Sequence, residues 1–204
     1  MAATASTYVP SIVFEEDYMR IVLHPLRLLY ALTVTTVVLT ACSPKDNGSR
    51  SNQLEAIDSI RVSAGIPASP LEFVEMTTMI NSPTGGLTVA LYQDSQGRKY
   101  MVEPKANYVV EIDARAILQS ISPDLPTLTR DELRAKAEQL ISATIAGFGE
   151  MRSGLSYEEG QKGDYWFFNW TGVSATAAVN RPFAQVGLRK SGELFAYYNT
   201  LLLK

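Results

Sequence analysis

Three carboxylates stand close together at Glu158, Glu159 and Asp164, in the stretch Tyr157-Glu158-Glu159-Gly160-Gln161-Lys162-Gly163-Asp164 that leads into an aromatic run. Two carboxyl groups beside aromatic platforms could serve a glycosidase as its acid and its base. Interleaved with Gly160 and Gly163, the same residues also read as a solvated hairpin loop. Other reactive groups are scarce: the chain has one histidine, His24, and one cysteine, Cys42. A single cysteine allows no intramolecular disulfide, so the fold must rest on its core. Ser82-Pro83-Thr84-Gly85-Gly86 lacks the spacing of a phosphate-binding loop. Asp46-Asn47-Gly48 echoes part of a calcium loop but has no acidic ligands downstream, and reads as tether.

The aromatic run Tyr165-Trp166-Phe167-Phe168-Asn169-Trp170 is a strand by composition. Side chains alternate across a strand, so Trp166, Phe168 and Trp170 share one face. Three large aromatics there would pack against an apolar helix stripe as core, or form a binding platform if left open. Tyr165, Phe167 and Asn169 fall on the other face, which is the candidate contact surface if it is left uncovered.

Everything before Ser43 has a different character. Residues 28–41 are an uncharged, largely apolar run of fourteen, preceded by Arg20 and Arg27. That is the layout of a signal peptide, and it is short of the about 20 apolar residues a membrane span needs. Leu39-Thr40-Ala41-Cys42 resembles a bacterial lipobox, which implies diacylation of the Cys42 thiol and cleavage before it. Glu15, Glu16 and Asp17 do not suit a basic leader, whereas Met19-Arg20-Ile21-Val22-Leu23 does, so translation is expected to begin at Met19. Cleavage would remove His24, and acylation would occupy Cys42. Ser-His-Asp and Cys-His catalysis and histidine or thiolate metal sites then drop out. The expectation is no catalytic residue, no cofactor and no metal.

The net charge is −3 and the isoelectric point near 5.3. Removing Arg20, Arg27, Glu15, Glu16 and Asp17 from 18 basic and 21 acidic groups leaves 16 and 18, a net of −2. Neither value calls for a nucleic-acid partner. The expected organisation is a signal peptide over 1–41, the lipidated cysteine with a flexible tether over 42–52, a first α+β module over 53–120 and a second over 121–204. Ten tether residues, 43–52, would span about 17 Å.

In the first module, Asn52 and Glu55 can cap a helix over Gln53–Ala64 with the stripe Leu54, Ile57, Ile60 and Ala64, ended by Gly65. Strands are expected over Glu72–Ile80, Leu87–Asp94, Lys99–Glu103 and Tyr108–Asp113, then a short helical bridge over Ala114–Ser120. Pro123 and Pro126 mark the boundary. Thr129-Arg130-Asp131-Glu132 is a capping box for a second helix, whose buried face is Leu133, Ala137, Leu140, Ile141, Thr144 and Ile145, with Gly147 and Gly149 as stops. Strands follow over Gly154–Tyr157, Tyr165–Gly172, Thr176–Val179, Ala184–Arg189 and Glu193–Asn199, the last two joined by the tight turn Lys190-Ser191-Gly192. Helix and three- or four-stranded meander thus occur twice, and an offset of 85 lays Lys105-Ala106-Asn107 on Lys190-Ser191-Gly192.

The second half resembles a PepSY-type domain, the module of peptidase propeptides. The residues that carry the likeness are the helix Leu133–Ala146, the strand Tyr165–Trp170 and the hairpin Val186–Leu194. Tyr100–Pro104 and Tyr108–Ile112 repeat it faintly in the first half, while the Ala-rich Thr171–Phe183 departs from the pattern. The same element order recurs in cystatin-like domains and in small lipoproteins of outer-membrane assembly machinery. The resemblance implies a non-catalytic binding module, in some members inhibitory toward a secreted peptidase. The chain is therefore expected in the cell envelope, held to the membrane by lipid on Cys42 and facing the periplasm or exterior. It would contact a secreted peptidase or another envelope protein through a sheet face or the edge strand near Glu193–Asn199. A structural part of an envelope assembly complex is the alternative, and a carboxylate-only hydrolase the third reading.

Overall fold

Turn residues and hydrophobic alternation divide the described residues into eight strands and two long helices, with short helical turns between them. The computed structural model describes residues 47–82, 85–118, 125–173 and 181–203, with the side chains of all but 47, 48, 80–82 and 118. These fall within one compact unit, Ser43–Lys204. The apolar run 28–41, Met19, His24, the Leu39-Thr40-Ala41 triplet, Cys42 and the expected strand Thr176–Val179 lie outside the described residues. No helix among the described residues is long and apolar enough to cross a membrane.

The order is α1 (Asn47–Ala64), β1 (Leu71–Ser82), β2 (Gly85–Asp94), β3 (Lys99–Glu103), β4 (Tyr108–Asp113), α2 (Arg115–Leu118), α3 (Arg130–Thr144), α4 (Phe148–Met151) and a 3-10 turn at Arg152–Gly154. Then come β5 (Leu155–Lys162), β6 (Tyr165–Gly172), β7 (Phe183–Arg189) and β8 (Leu194–Asn199). The fold is α+β, a helix followed by an antiparallel sheet. All eight strands join one sheet in the order β1-β2-β3-β4-β8-β7-β6-β5. Among the described residues the edge strands are β1 and β5. This corrects the expected edge near Glu193–Asn199, because β8 lies inside the sheet, hydrogen-bonded to β4 on one side and β7 on the other.

Both helices lie on one face and touch each other. The core beneath them is continuous, drawing Ile57 and Ile60 from α1, Leu133, Leu140 and Ile141 from α3, and Tyr100, Ile112, Phe168, Trp170 and Tyr197 from the strands. Each fully buried aliphatic or aromatic side chain contributes about 1.5–3 kcal/mol. The α3 stripe is buried as its spacing requires, and Thr129 and Glu132 cap each other reciprocally. Gly147 adopts φ 73° after α3, but Gly149 sits inside the short α4 instead of stopping a helix.

Two elements start or end beyond their local signals. The helix α1 begins at Asn47, inside the expected tether, so Asn52 is an interior position and not its cap. Contacts to the sheet extend it: Tyr92 donates to Gln53 at 2.7 Å, Gln53 donates to Ser49 at 3.0 Å, and Arg50 lies over the Phe73 ring at 4.7 Å. Tertiary contacts of this kind outweigh weak local propensity. At the other end of the sheet, β5 runs on from Tyr157 to Lys162, pairing residue for residue with β6. Gly160 and the charges around it form an edge strand where a loop was the simpler expectation.

Buried charge ties α1 to the first strands. Arg61 Nε donates to Tyr100 Oη at 3.1 Å, its NH1 to the Ser69 carbonyl at 2.9 Å, and its NH2 reaches Asp94 at 3.4 Å. Asp94 also accepts from the Arg98 guanidinium, the Tyr100 hydroxyl and the backbone N–H groups of Gln96 and Arg98. A second small core, Met79, Val89 and Val110, packs on the opposite sheet face with Leu87, Met101 and Tyr108 around it.

Candidate functional site

In β6 the alternation divides the aromatic run as expected. Phe168 and Trp170 are buried under the helices, Trp170 between Phe148 at 5.7 Å and Tyr157 at 5.4 Å. Trp166 stacks on Phe168 at the margin of that core. Tyr165, Phe167 and Asn169 are half-buried on the face away from α1 and α3.

Strand register assembles their neighbours. Asn169 lies opposite Gln185, Gln185 opposite Tyr198, and Tyr198 opposite Glu111, a polar row crossing β6, β7, β8 and β4. At roughly 4.8 Å per strand the row is about 14 Å long. Gln185 donates to Asn169 Oδ1 at 2.5 Å, and Tyr198 hydrogen-bonds Glu111. The adjacent row is aromatic over small residues. Phe167 lies opposite Gly187, and Gly187 opposite Ala196. The Phe195 ring sits 4.6 Å from Tyr165 and 5.7 Å, edge to face, from Phe167. A Cβ at position 187 would come within 2.9 Å of Phe195 Cδ1 and 3.4 Å of Phe167 Cε1, so glycine makes the room these rings occupy.

Phe195 was not legible as part of this surface. Simple alternation puts it on the same face as Tyr197, which is core. The register shifts at this point, with Gly187 opposite Ala196 but Leu188 opposite Leu194, leaving Phe195 as the extra residue of a bulge. Bulges re-aim side chains, and this one turns Phe195 outward. Gly187 inside a strand was the available signal. Gln185 follows from the pairing of β6 with β7 and Tyr198 from the β7–β8 hairpin, whereas Glu111 could be found only by knowing that β4 pairs with β8.

The row carries unequal acids. Burial, and then the charge of Asp113, raise the Glu111 carboxyl above its usual range. Burial acts in the same direction on Asp113, but hydrogen bonds from Arg115 at 2.9 and 2.6 Å outweigh it and hold that carboxyl low. Tyr198 is pushed up to about 12 by burial and by Glu111. At neutral pH the surface therefore offers a neutral phenol, amides and aromatic faces, with the Asp113–Arg115 ion pair at one end and Glu158 at the other.

The three carboxylates that opened the case for catalysis are dispersed. Adjacent residues of β5 face opposite ways, so Glu158 lies opposite Asn169 on the open face while Glu159 turns to the helix side. Glu159 accepts from the Tyr157 hydroxyl at 2.5 Å and pairs with Arg130. Asp164 is in the β5–β6 turn, paired with Lys190 at 3.1 Å. No pair of them converges on a common space. Among the described residues no group of His, Cys, Asp or Glu is placed to hold a metal. A cavity of about 310 Å³ opens beside Gly65, Arg98, Lys136 and Glu193, but Arg98 is engaged by Asp94 and Glu193 by Ser191.

No protein-family model, no curated protein and no solved structure matches this chain.

Proposed function

We propose that this chain is an envelope lipoprotein, anchored through Cys42, whose α+β part is a non-catalytic protein-binding module working as two PepSY-like halves. The surface it uses is the open face of the sheet around Tyr165, Phe167, Asn169 and Phe195. The observation that carries this reading is the paired rows of that face: half-buried aromatics over Gly187 beside the amides Asn169 and Gln185. Aromatic bodies with satisfied polar neighbours are the composition of interface cores, where truncating an anchor residue costs more than 1 kcal/mol. A secreted peptidase is the proposed partner, restrained or chaperoned near the membrane.

Two measurements test it. Palmitate should label the wild-type chain and not Cys42→Ala, which should also stay unprocessed; label on the variant refutes the anchor. A cross-linked pull-down from membranes, read by mass spectrometry, should recover a secreted peptidase with wild type and lose it at least ten-fold with Phe167→Ala. Recovery of envelope-assembly proteins instead would replace the peptidase reading with a scaffold role. Recovery unaffected by Phe167→Ala would exclude this face.

A further inference from the structure

The two edges of the sheet differ in a way the binding face does not explain. An edge strand presents unpaired N–H and C=O groups and joins other strands unless it is blunted. The edge strand β5 is blunted: over eight residues it carries Glu158, Glu159 and Lys162, with Gly160 among them. The other edge, β1, is twelve residues long and has charges only at Glu72 and Glu75, with none from Met76 to Ser82. Val74 is 47% exposed and Met76 50%. Among the described residues β1 has a strand partner on one side only, β2.

Its regular part is short and defined. Register shifts fall between Phe73 and Glu75 and between Met79 and Ser82, leaving Glu75–Met79 as an unbroken ladder centred on Thr77. Charge then selects the partner's direction. A parallel neighbour of the same sequence would set Glu75 against Glu75, which is destabilising. An antiparallel copy turned about Thr77 sets Glu75 against Met79, Met76 against Thr78 and Thr77 against itself. Each copy's acidic half then faces the other's uncharged half.

We propose that β1 is a self-association edge, where two copies of this chain pair antiparallel about Thr77 and join their sheets. Two-fold self-pairing is the commonest closed assembly of soluble chains.

The test uses the full chain carrying two different tags in one cell, with a photo-cross-linking benzoylphenylalanine at position 78, or at position 158 as the control edge. Position 78 should give a doubly tagged species of twice the chain mass, at least ten-fold more abundant than from position 158. Both positions are exposed, so the probe leaves the core untouched. Met76→Glu/Thr78→Glu sets like charges across the axis and should cut a cross-link formed from position 77 at least ten-fold. Met76→Lys/Thr78→Glu sets opposite charges across it and should restore the yield to within about two-fold of wild type. Absence of the doubly tagged species, equal yields from both edges, or identical yields from the two charge variants would each overturn the proposal.

Discussion

Replacing Asp94 by alanine should be among the most damaging single changes outside the hydrophobic core. Its side chain is fully buried, and five donors converge on it: two from Arg98, one each from Gln96, Tyr100 and Arg61. Removing it leaves the Arg61 guanidinium, 3% exposed, with Asp58, itself 63% exposed, as its remaining counter-charge. Breaking a buried pair by deleting one partner costs about 3–5 kcal/mol, because the surviving charge is left uncompensated. Against a total stability of about 5–15 kcal/mol, that is a large fraction. Urea unfolding followed by Trp166 and Trp170 fluorescence reads it, and those reporters lie in the other half of the chain. Because one sheet and one core join the halves, the loss should appear there in full, as one shifted transition. A shift worth less than about 1 kcal/mol, or a second transition confined to far-ultraviolet circular dichroism, would refute the reasoning.

The pH dependence gives an independent check. Burial alone would raise the Asp94 carboxyl, but hydrogen bonds and charge from Arg98, with the Gln96 N–H, hold it below its ordinary 3.8. A depressed carboxylate stabilises the fold at pH above the unfolded value and loses that contribution as pH falls through the folded one. The gap in unfolding free energy between wild type and Asp94→Asn should therefore be constant above about pH 5 and close below 3.8. The double change Arg61→Met/Asp94→Leu should recover only part of the stability that Asp94→Ala loses, since it removes the buried Arg61 charge but leaves Arg98 and the backbone N–H groups without their acceptor.

Three further outcomes follow from the open face and the core. Gly187→Ala should destabilise by about 1–3 kcal/mol through overpacking against Phe195, and adding Phe195→Ala should relieve most of that in the same urea assay. Tyr108, Tyr197 and Tyr198, each pushed up to about 12 chiefly by burial, should form phenolate only as the protein unfolds. The sign is that of a raised folded value: stability is intact below pH 10 and falls as pH climbs towards 12, and an ultraviolet titration with every tyrosine ionising near 10 would contradict it. Leu140→Ala, at a position 3% exposed in the α3 stripe, should cost about 2–5 kcal/mol in thermal or urea unfolding, whereas Glu158→Gln/Asp164→Asn should change it by less than about 0.5 kcal/mol.

Local physics was legible where it is strong. The Thr129–Glu132 capping box, the α3 stripe and the strands at Lys99–Glu103, Tyr108–Asp113 and Tyr165–Gly172 stand where the residues place them. So do the faces of Tyr165, Phe167 and Asn169 against Phe168 and Trp170, because strand periodicity needs no tertiary information. The early start of α1 was hidden, since it depends on Phe73 and Tyr92 in strands that follow it. The length of β5 was hidden for a similar reason: Gly160 and three charges mimic a loop, and pairing with β6 draws them into a strand. Strand order was least legible, and with it the true edges, because the junction of β4 with β8 joins residues more than eighty positions apart.

The polar row of the candidate surface crosses that junction. Only three residue pairs join β4 to β8, Glu111 with Tyr198, Ile112 with Tyr197 and Asp113 with Ala196, extended by the Ala114 N–H donating to the Phe195 carbonyl at 3.1 Å. The offset of 85 expected from the sequence lays Ile112 on Tyr197, the central pair of the junction. The same offset lays Asn107 on Gly192, and both are in the left-handed region, at φ 54° and 91°. So short a ladder cannot hold the halves alone; the shared core beneath α1 and α3 does most of it, with Ile112 and Tyr197 both fully buried. A change that loosens α1 against α3 should then reach Glu111 and Tyr198 on the far side of the sheet, because the same three pairs set their spacing.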